Sequence, residues 1–424
     1  MDMPRTLAIA EIIAVGTEML GSDRTDTNSL FITARLNELG VEVRAKAVVA
    51  DHLETLSSAI RNALERADLV VLTGGLGPTD DDLTRQAVAE VVGRPLDEDA
   101  RIVETIRARF DRRGMRMPDI NRRQARVIAG ATTLDNAVGT APGMWVDTGD
   151  GQVVLLLPGP PREMRPMFEA ALDGPLAGRV GDERLVRRVV RIIGRTESHA
   201  EEKLRPLYAR WATCSPPIAV TILAARGKIE LQLSARDRDT TRASKVLGDA
   251  VADVVGVFGA DVCSTDGREL EQVVGDLLRA RSLRVALGES CTGGLVASRL
   301  TDVPGSSDYV ERGVVAYSNR AKTELLEVPA ALIAEHGAVS EPVALAMAEG
   351  ARRRAGVEMG VGITGIAGPG GGSEAKPVGT VAIAVAGPGD GRRVRTWLFP
   401  GTRHHVKMFS ATAAIDMLRR ALIE

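Results

Sequence analysis

The stretch with the most reactive side chains is Leu287–Lys322, which reads LGESCTGGLVASRLTDVPGSSDYVERGVVAYSNRAK. The sequence predicts a strand over 283–287, followed by a glycine-rich turn and a helix. This order aims backbone N–H groups at a ligand over the turn. The turn PGSS adds two hydroxyls, and YSNRAK adds a phenol and two cations. Amide hydrolysis needs a nucleophile, a base and oxyanion donors, and the stretch offers candidates for all three without a histidine.

Each of these residues also fits an ordinary structural role. Gly-Gly and Pro-Gly pairs form turns, and Ser or Thr at a helix start caps the helix. Cys291 is intrinsically the most nucleophilic side chain, but no histidine is near it in sequence, and a small buried cysteine is the better interpretation. A lysine can act as the base if burial or a nearby cation lowers its pKa from about 10.4. Three polar turns within one short segment favour a catalytic function for the set.

The motifs ESCTGG, PGSS, YSNRAK, GAVS and GITGIAGPGGG resemble the C-terminal domain of the CinA (competence/damage-inducible protein A) family. GTEML, TGGLGPTDDDLT and LPGPPREM resemble its N-terminal half, so the resemblance covers nearly the whole chain. It implies an amidohydrolase that acts on nicotinamide mononucleotide (NMN) with a Ser/Lys pair, which maps onto Ser307 and Lys322. Ser290, Tyr317 and Thr364 match supporting positions. Ser290 is the alternative nucleophile, because its loop has the stronger strand–turn–helix character.

Substrate-binding residues are predicted in the same half of the chain. Arg403 and the glycine loop 368–372 would hold the substrate phosphate. The predicted binding set is Gly293, Gly294, Gly368, Gly370 and Arg403. We expect no cofactor for this reaction.

Composition limits the classes of function. A chain of 424 residues has room for two or three domains. The net charge of −2 and the 3% aromatic content argue against nucleic-acid binding. Three scattered cysteines give neither a disulfide framework nor a zinc spacing, which fits a cytoplasmic enzyme. The N-terminus reads as a first strand, not a signal peptide, and no apolar run predicts a membrane span.

Buried strands alternate with amphipathic helices in the N-terminal part. This pattern predicts a parallel sheet with helices on both faces, and ligands bind such sheets beyond the carboxyl ends of the strands. Gly16–Glu18, Asp51 and Thr73–Asp82 all lie at such ends, so we expect them to converge. Asn28 is expected to cap a helix over 29–39.

The loop Gly74–Asp82 combines glycines with three consecutive acids. Glycines let backbone N–H groups approach a phosphate, and a divalent cation would have to separate that phosphate from the acids. The alternative is that Asp81 or Asp82 caps the next helix. The predicted ligands of Mg²⁺ or a transition metal are Asp51, Asp81 and Asp82. The predicted nucleotide-binding residues are Glu18, Asn28, Thr73, Gly74, Gly75, Gly77, Pro158 and Gly159. The resemblance implies a molybdopterin-binding-like domain that cleaves ADP-ribose.

We therefore predict an α/β protein of three parts. Residues 1–171 form a molybdopterin-binding-like, three-layer pyrophosphatase domain, 172–265 a small α+β module, and 266–424 an α/β amidohydrolase domain. The expected partners are NMN and ADP-ribose, and the enzyme is expected to be a homodimer with no membrane or nucleic-acid partner. Two alternatives stay open. The N-terminal domain would bind a pterin or transfer an adenylyl group, or the protein would be a non-catalytic partner in DNA uptake or repair.

Overall fold

The computed structural model describes residues 5–225 and 227–423, which form two compact units. The first unit comprises the described residues up to Val186 together with Arg236–Thr241. The second comprises Arg187–Ala235 and the residues from Arg242 onward. No helix in the described residues has the length and apolar character needed to cross a membrane.

The first unit is built around a six-stranded sheet. Its helices are α1 (Thr27–Glu38), α2 (Leu53–Leu64), α3 (Thr84–Val92), α4 (Ala100–Asp111) and α5 (Pro161–Asp173). Its strands are β1 (Ile9–Val15), β2 (Glu42–Val49), β3 (Leu69–Thr73), β4 (Leu96–Glu98), β5 (Arg126–Ile128), β6 (Thr132–Leu134), β7 (Gly143–Asp147) and β8 (Val153–Leu157). The sheet order is β2-β1-β3-β8-β7-β6, and β4 pairs separately with β5.

The central strands of this sheet are parallel, as the sequence predicts. β1 pairs in parallel with β2 and β3, and β3 with β8, whereas β7 is antiparallel to β8. β3 and β8 are buried along their whole length, which is typical of parallel strands covered on both faces. One apolar cluster packs the sheet against α1 and α5, and another packs it against α2 and α3. The unit is therefore a three-layer α/β arrangement.

A four-stranded sheet follows in the chain. Its elements are β9 (Arg184–Ile193), α6 (Glu197–Ala212), β10 (Ile218–Ala225), β11 (Lys228–Asp237), α7 (Thr240–Phe258) and β12 (Val262–Ser264). The strand order is β10-β11-β9-β12. β11 alternates between buried and half-buried residues along its length, as its sequence predicts.

The C-terminal sheet has five strands and helices on both faces. Its strands are β13 (Val285–Glu289), β14 (Val310–Val315), β15 (Met359–Gly365), β16 (Thr380–Ala386) and β17 (Arg392–Leu398). Its helices are α8 (Leu270–Ala280), α9 (Leu295–Thr301), α10 (Asn319–Leu326), α11 (Ala330–His336), α12 (Glu341–Ala355) and α13 (Arg403–Ile423). The order is β14-β13-β15-β16-β17, with β13 parallel to both of its neighbours.

One local prediction is wrong. Asp26, not Asn28, caps α1, since the Asp26 carboxylate accepts the Ser29 amide at 2.9 Å. Lys322 lies on a helix, which starts where the Ser318 hydroxyl accepts the Ala321 amide at 3.0 Å.

Candidate active sites

The carboxyl ends of three strands bring the C-terminal candidate residues together. β13 is flanked in parallel by β14 and β15, with Glu289 opposite both Val315 and Ile363. Residues just after these positions therefore meet at one edge of the sheet. Ser290 follows β13 directly, and its amide donates to the Ile363 carbonyl at 2.9 Å. Thr364 lies next to Ser290 on the neighbouring strand.

The central contact at this edge joins Lys322 to Ser290. Lys322 lies in the first part of α10 and is 2% exposed, while Ser290 is 7% exposed. The Lys322 Nζ lies 3.1 Å from the Ser290 Oγ and 3.3 Å from the Ala316 carbonyl oxygen. Burial lowers the pKa of Lys322 below its ordinary value, because the charged ammonium loses its hydration. The pair is therefore a hydroxyl beside an amine that loses its proton more readily than an exposed lysine does.

The predicted pairing of Ser307 with Lys322 is not formed. Ser307 is exposed and lies before the amino end of β14, whereas Lys322 lies beyond its carboxyl end. The six residues of β14 separate the two ends by about 20 Å. Within residues 5–225 and 227–423, the contact of Ser307 is through its carbonyl oxygen, which accepts from Arg284 at 3.4 Å. The structure thus pairs Lys322 with the alternative candidate, Ser290.

The turn after Ser290 depends on its two glycines. Gly293 and Gly294 have φ values of 63° and 89°, a region that favours glycine. The Gly293 amide donates to the Ser290 carbonyl at 3.1 Å and closes the turn. Glu289 is buried and accepts the amides of Val296 and Ala297 at 3.1 and 2.8 Å, so it holds the first turn of α9. The backbone carrying Ser290 is therefore held on both sides.

Cys291 has the structural role that its sequence context indicates. Its side chain is 5% exposed, and burial raises the pKa of the thiol to about 12. It packs beneath Gly365, where an added Cβ would lie 3.0 Å from the Cys291 sulfur. A thiol that stays protonated at neutral pH is a poor nucleophile.

Thr364 faces the site with its hydroxyl proton already in use. It is 1% exposed, and its Oγ1 donates to the Ala338 carbonyl at 2.7 Å. A hydroxyl has one proton and two lone pairs, so Thr364 can only accept a further hydrogen bond.

Arg403, at the start of α13, joins the loop at Gly368 to Tyr317, which follows β14. The Arg403 guanidinium donates to the Gly368 carbonyl at 2.8 Å and to the Tyr317 hydroxyl at 2.5 Å. Gly370 lies on the exposed part of the same loop. The sequence analysis missed Lys376, whose Nζ donates to the carbonyls of His336 and Val339 and ties the glycine-rich loop to the segment before α12.

The N-terminal candidates line a cavity of about 510 Å³ at the carboxyl ends of β1, β3 and β8. The predicted residues found in its wall are Glu18, Asp51, Gly74, Gly75, Gly77, Asp81, Asp82, Pro158 and Gly159. Thr73 ends β3 and is buried outside the lining. Asn28 lies behind the wall and donates to the Gly159 carbonyl at 2.7 Å, so it holds the loop after β8. The expected convergence of these loops is confirmed.

Asp82 organises the glycine loop. Its carboxylate accepts the amides of Gly77 and Thr79 at 2.7 and 2.8 Å and the Thr79 hydroxyl at 2.6 Å. Asp81 shares the single proton of that hydroxyl with Asp82, and this contact lowers the pKa of Asp81. Neither acid caps α3, which begins after Leu83 without a side-chain cap. The two acids therefore shape the loop 77–82 itself.

The carboxylates of this cavity suit a metal shared with a substrate. In the described part of the chain, no three Asp, Glu, His or Cys side chains are grouped as a metal site. Asp51 accepts the Thr17 amide at 2.7 Å through one oxygen, and Asp81 likewise uses one oxygen towards Thr79. Mg²⁺ typically takes one or two carboxylates and completes its shell with water and substrate phosphates. The donor set fits that mode of binding.

Four charged residues of this cavity lie outside the predicted site set. Arg109, Arg113, Arg162 and Glu163 all line it. Glu163 accepts from Asn136 at 2.9 Å, and Asn136 also donates to the Ala141 carbonyl at 2.9 Å. Glu163 belongs to the motif LPGPPREM, so proximity to that motif was the available signal.

Two family models match the chain. The model described as "CinA C-terminal domain" matches residues 267–422, and the model described as "Probable molybdopterin binding domain" matches residues 11–177.

Full-length relatives are similar over nearly the whole chain. A CinA-like protein of Koribacter versatilis is 44% identical, with 98% of this chain and 100% of the relative covered. A CinA-like protein of Acidobacterium capsulatum is 43% identical over the same shares of the two chains.

Solved structures match shorter parts. The competence/damage inducible protein CihA from Agrobacterium tumefaciens is 38% identical, with 36% of this chain and 93% of that chain covered at a TM-score of 0.35. The protein CinA with unknown function from Thermoplasma acidophilum is 35% identical, with 39% of this chain and 97% of that chain covered at a TM-score of 0.36.

Proposed function

The chain belongs to the CinA family, and we propose that its C-terminal part hydrolyses the carboxamide of NMN to nicotinate mononucleotide and ammonia. The observation that carries this proposal is the buried contact of 3.1 Å between the Lys322 Nζ and the Ser290 Oγ. A serine becomes a nucleophile when an adjacent base takes its proton. Among the described residues, Lys322 is the base within reach of Ser290.

The contact between the Lys322 Nζ and the Ser290 Oγ provides the path for the proton, and the lowered pKa of Lys322 favours the neutral amine that can accept it. The neutral amine accepts the Ser290 proton as the Ser290 oxygen attacks the amide carbon. The resulting ammonium then donates a proton to the departing nitrogen, which leaves as ammonia. Water attacks the acyl-serine with Lys322 again as the base, which releases the carboxylate and restores both side chains.

Thr364 supports recognition of an amide over an acid. Because its proton is used towards Ala338, the Thr364 oxygen offers only lone pairs to the site. A carboxamide N–H can donate to it, whereas a carboxylate oxygen would face it with like charge. Thr364 therefore favours binding of the carboxamide substrate over binding of the carboxylate product.

The test compares two serines in the full-length protein. Ser290→Ala is expected to lower ammonia release from NMN by about 10³-fold or more, because the nucleophile is lost. Ser307→Ala is the matched control, since Ser307 is exposed at the far end of β14 and should keep wild-type turnover. Loss of activity in Ser307→Ala with retention in Ser290→Ala would reverse the assignment.

A second candidate function belongs to the N-terminal cavity. We propose that it binds and cleaves an ADP-ribose-type pyrophosphate with a divalent metal. The proposal is supported by the combination of the glycine loop 74–77, the acids Asp51 and Asp81, and the arginines Arg113 and Arg162 in one cavity. Backbone amides and arginines suit phosphate oxygens, and carboxylates suit a divalent cation.

The roles of this chain's residues follow from their contacts. A bound divalent cation would supply charge neutralisation at the phosphate oxygens. Asp51 and Asp81 would hold it, and Asp82 would keep the loop 77–79 in shape. Glu163, held by Asn136, lies in the same wall and is positioned to orient a water.

Product analysis tests this second proposal. ADP-ribose with Mg²⁺ should give AMP and ribose 5-phosphate, and excess chelator should stop their release. Asp51→Asn should also stop the release of AMP and ribose 5-phosphate, but it should leave ammonia release from NMN unchanged. Activity that persists in chelator would rule out the metal, and activity only with ATP and a pterin would favour adenylyl transfer instead.

A further inference from the structure

Two cations lie on one face of α13 beside the Ser290 turn. Arg403 and Lys407 are four residues apart, so their side chains project from the same side of the helix. The Lys407 Nζ lies 3.5 Å from the point where a Cβ on Gly293 would sit. Gly293 is joined to Ser290 by one tight turn. The ammonium of Lys407 therefore lies beside the backbone that carries the nucleophile.

The two cations differ in how far their charge is satisfied. Arg403 donates to the Gly368 carbonyl and to the Tyr317 hydroxyl, so it links neighbouring segments. Lys407 is half-buried, and within the described residues it has neither an ion pair nor a hydrogen bond. The first turn of α13 carries no acidic residue.

This placement is electrostatically unfavourable without a further partner. The dipole of a helix disfavours positive charge near its first turns, and like charges four residues apart repel each other. Neither cost is offset by a neighbouring carboxylate, because no ion pair joins Arg403 or Lys407 to an acid in the part of the chain that the structure describes. An anion bound beside the Lys407 ammonium would reduce both costs at once.

We propose that Lys407 reads the 5′-phosphate of the substrate, while Arg403 positions the loop around it. This inference rests on the proposed amide hydrolysis and assigns the selectivity of that site for a nucleotide over a nucleoside. In a mononucleotide the ribose separates the carboxamide from the phosphate. With the amide at Ser290, the phosphate would lie one sugar away, and Lys407, whose Nζ is 3.5 Å from the Cβ position of Gly293, is a cation placed to meet it. A phosphate oxygen would form a charge-assisted hydrogen bond with the ammonium.

The test measures selectivity in the full-length protein with NMN and nicotinamide riboside. In Lys407→Met, the ratio of kcat/KM for NMN to that for the riboside should fall about tenfold or more, since one charged hydrogen bond is lost. Lys407→Arg should keep most of the ratio. Lys245→Met removes a lysine from an exposed position on α7 and should leave the ratio at its wild-type value. An unchanged ratio in Lys407→Met, including an equal loss on both substrates, would overturn the proposal.

A binding measurement separates this inference from the proposed reaction. If the wild-type protein releases no ammonia from NMN, or does not turn over the riboside, titration with inorganic phosphate decides. The wild type should bind one phosphate more than Lys407→Met. Phosphate bound in the N-terminal cavity contributes equally to both proteins and therefore cancels in the comparison. Equal phosphate stoichiometry and affinity would overturn the anion site, whereas inactivity towards NMN alone would overturn only the proposed hydrolysis. Circular dichroism checks that the variant is folded.

Discussion

Replacing Lys322 with Met removes the amine next to Ser290 and keeps an unbranched apolar side chain of similar length. A general base typically contributes about 10²- to 10⁴-fold to a rate, so ammonia release from NMN should fall by at least that range. The variant also loses the contacts of the Nζ with the Ser290 Oγ and the Ala316 carbonyl. Two such hydrogen bonds are worth about 1–3 kcal/mol together.

The lost hydrogen bonds lower the free energy of unfolding of Lys322→Met, whereas removal of a buried amine raises it. The lowered pKa of Lys322 means that burial disfavours its charged form. Below the folded-state pKa, Lys322 is protonated in the folded and unfolded states, and the folded state carries the full cost of the buried charge. Between that pKa and the ordinary value of 10.5, the unfolded chain binds more protons, so wild-type stability rises with pH.

Methionine has no proton to bind, so this pH dependence disappears in the variant. The stability of Lys322→Met relative to wild type should therefore be greatest below the folded-state pKa. It should decline as the pH rises towards 10.5. Near neutral pH the opposing terms should leave the free energies of unfolding within about 2 kcal/mol of each other. The variant is thus expected to be inactive but not unfolded.

Two measurements check this reasoning. Hydrogen exchange of amides in β13 and β15 reports the local free energy of opening around the site from pH 6 to pH 10. Ammonia release from NMN over the same range should rise with pH in the wild type as Lys322 loses its proton. Lys245→Met, at an exposed position, serves as the control for loss of a lysine. A stability difference that does not change with pH, or turnover within tenfold of wild type, would refute the role of Lys322.

The remaining predictions concern two other polar residues. Thr364→Val leaves the Ala338 carbonyl without its donor, so the free energy of unfolding should fall by about 1–2 kcal/mol. NMN turnover should also fall, because the substrate amide loses its acceptor. Unchanged turnover would contradict the acceptor role of Thr364. Asp82→Asn places an N–H group against the amide of Gly77 or Thr79, so the loop should loosen and ADP-ribose cleavage should fall while ammonia release is kept. Added Mg²⁺ should not restore Asp82→Asn, because its loss is one of loop shape, and recovery with metal would instead identify Asp82 as a ligand.

Much of the fold follows from local sequence. The runs that form β3 and β8 are apolar throughout, and such runs between amphipathic helices predict a parallel sheet covered on both faces. In that topology the loops after the strands converge. This is why the sequence alone predicts that Glu18, Asp51 and Gly74 share one cavity.

Short polar segments were harder to assign, because several neighbouring residues can do the same job. Asp26 and Asn28 are both good helix caps, and the choice of Asp26 leaves Asn28 free to hold the loop at Gly159. Asp82 was predicted as a metal ligand from its charge. Its two backbone contacts, with Gly77 and Thr79, depend on how the loop folds back, which no local pattern indicates.

The sequence by itself determined that this chain carries a lysine and several hydroxyls without a histidine base near them. It did not determine which hydroxyl meets Lys322. Ser307 is the nearer of the two serines along the chain, but β14 carries the backbone away from it before α10 begins. Ser290 is 32 residues away in sequence and adjacent in space, because β13 and β14 run in parallel and end at the same edge. Strand direction and register are properties of the assembled sheet, so only the tertiary structure decided the pair.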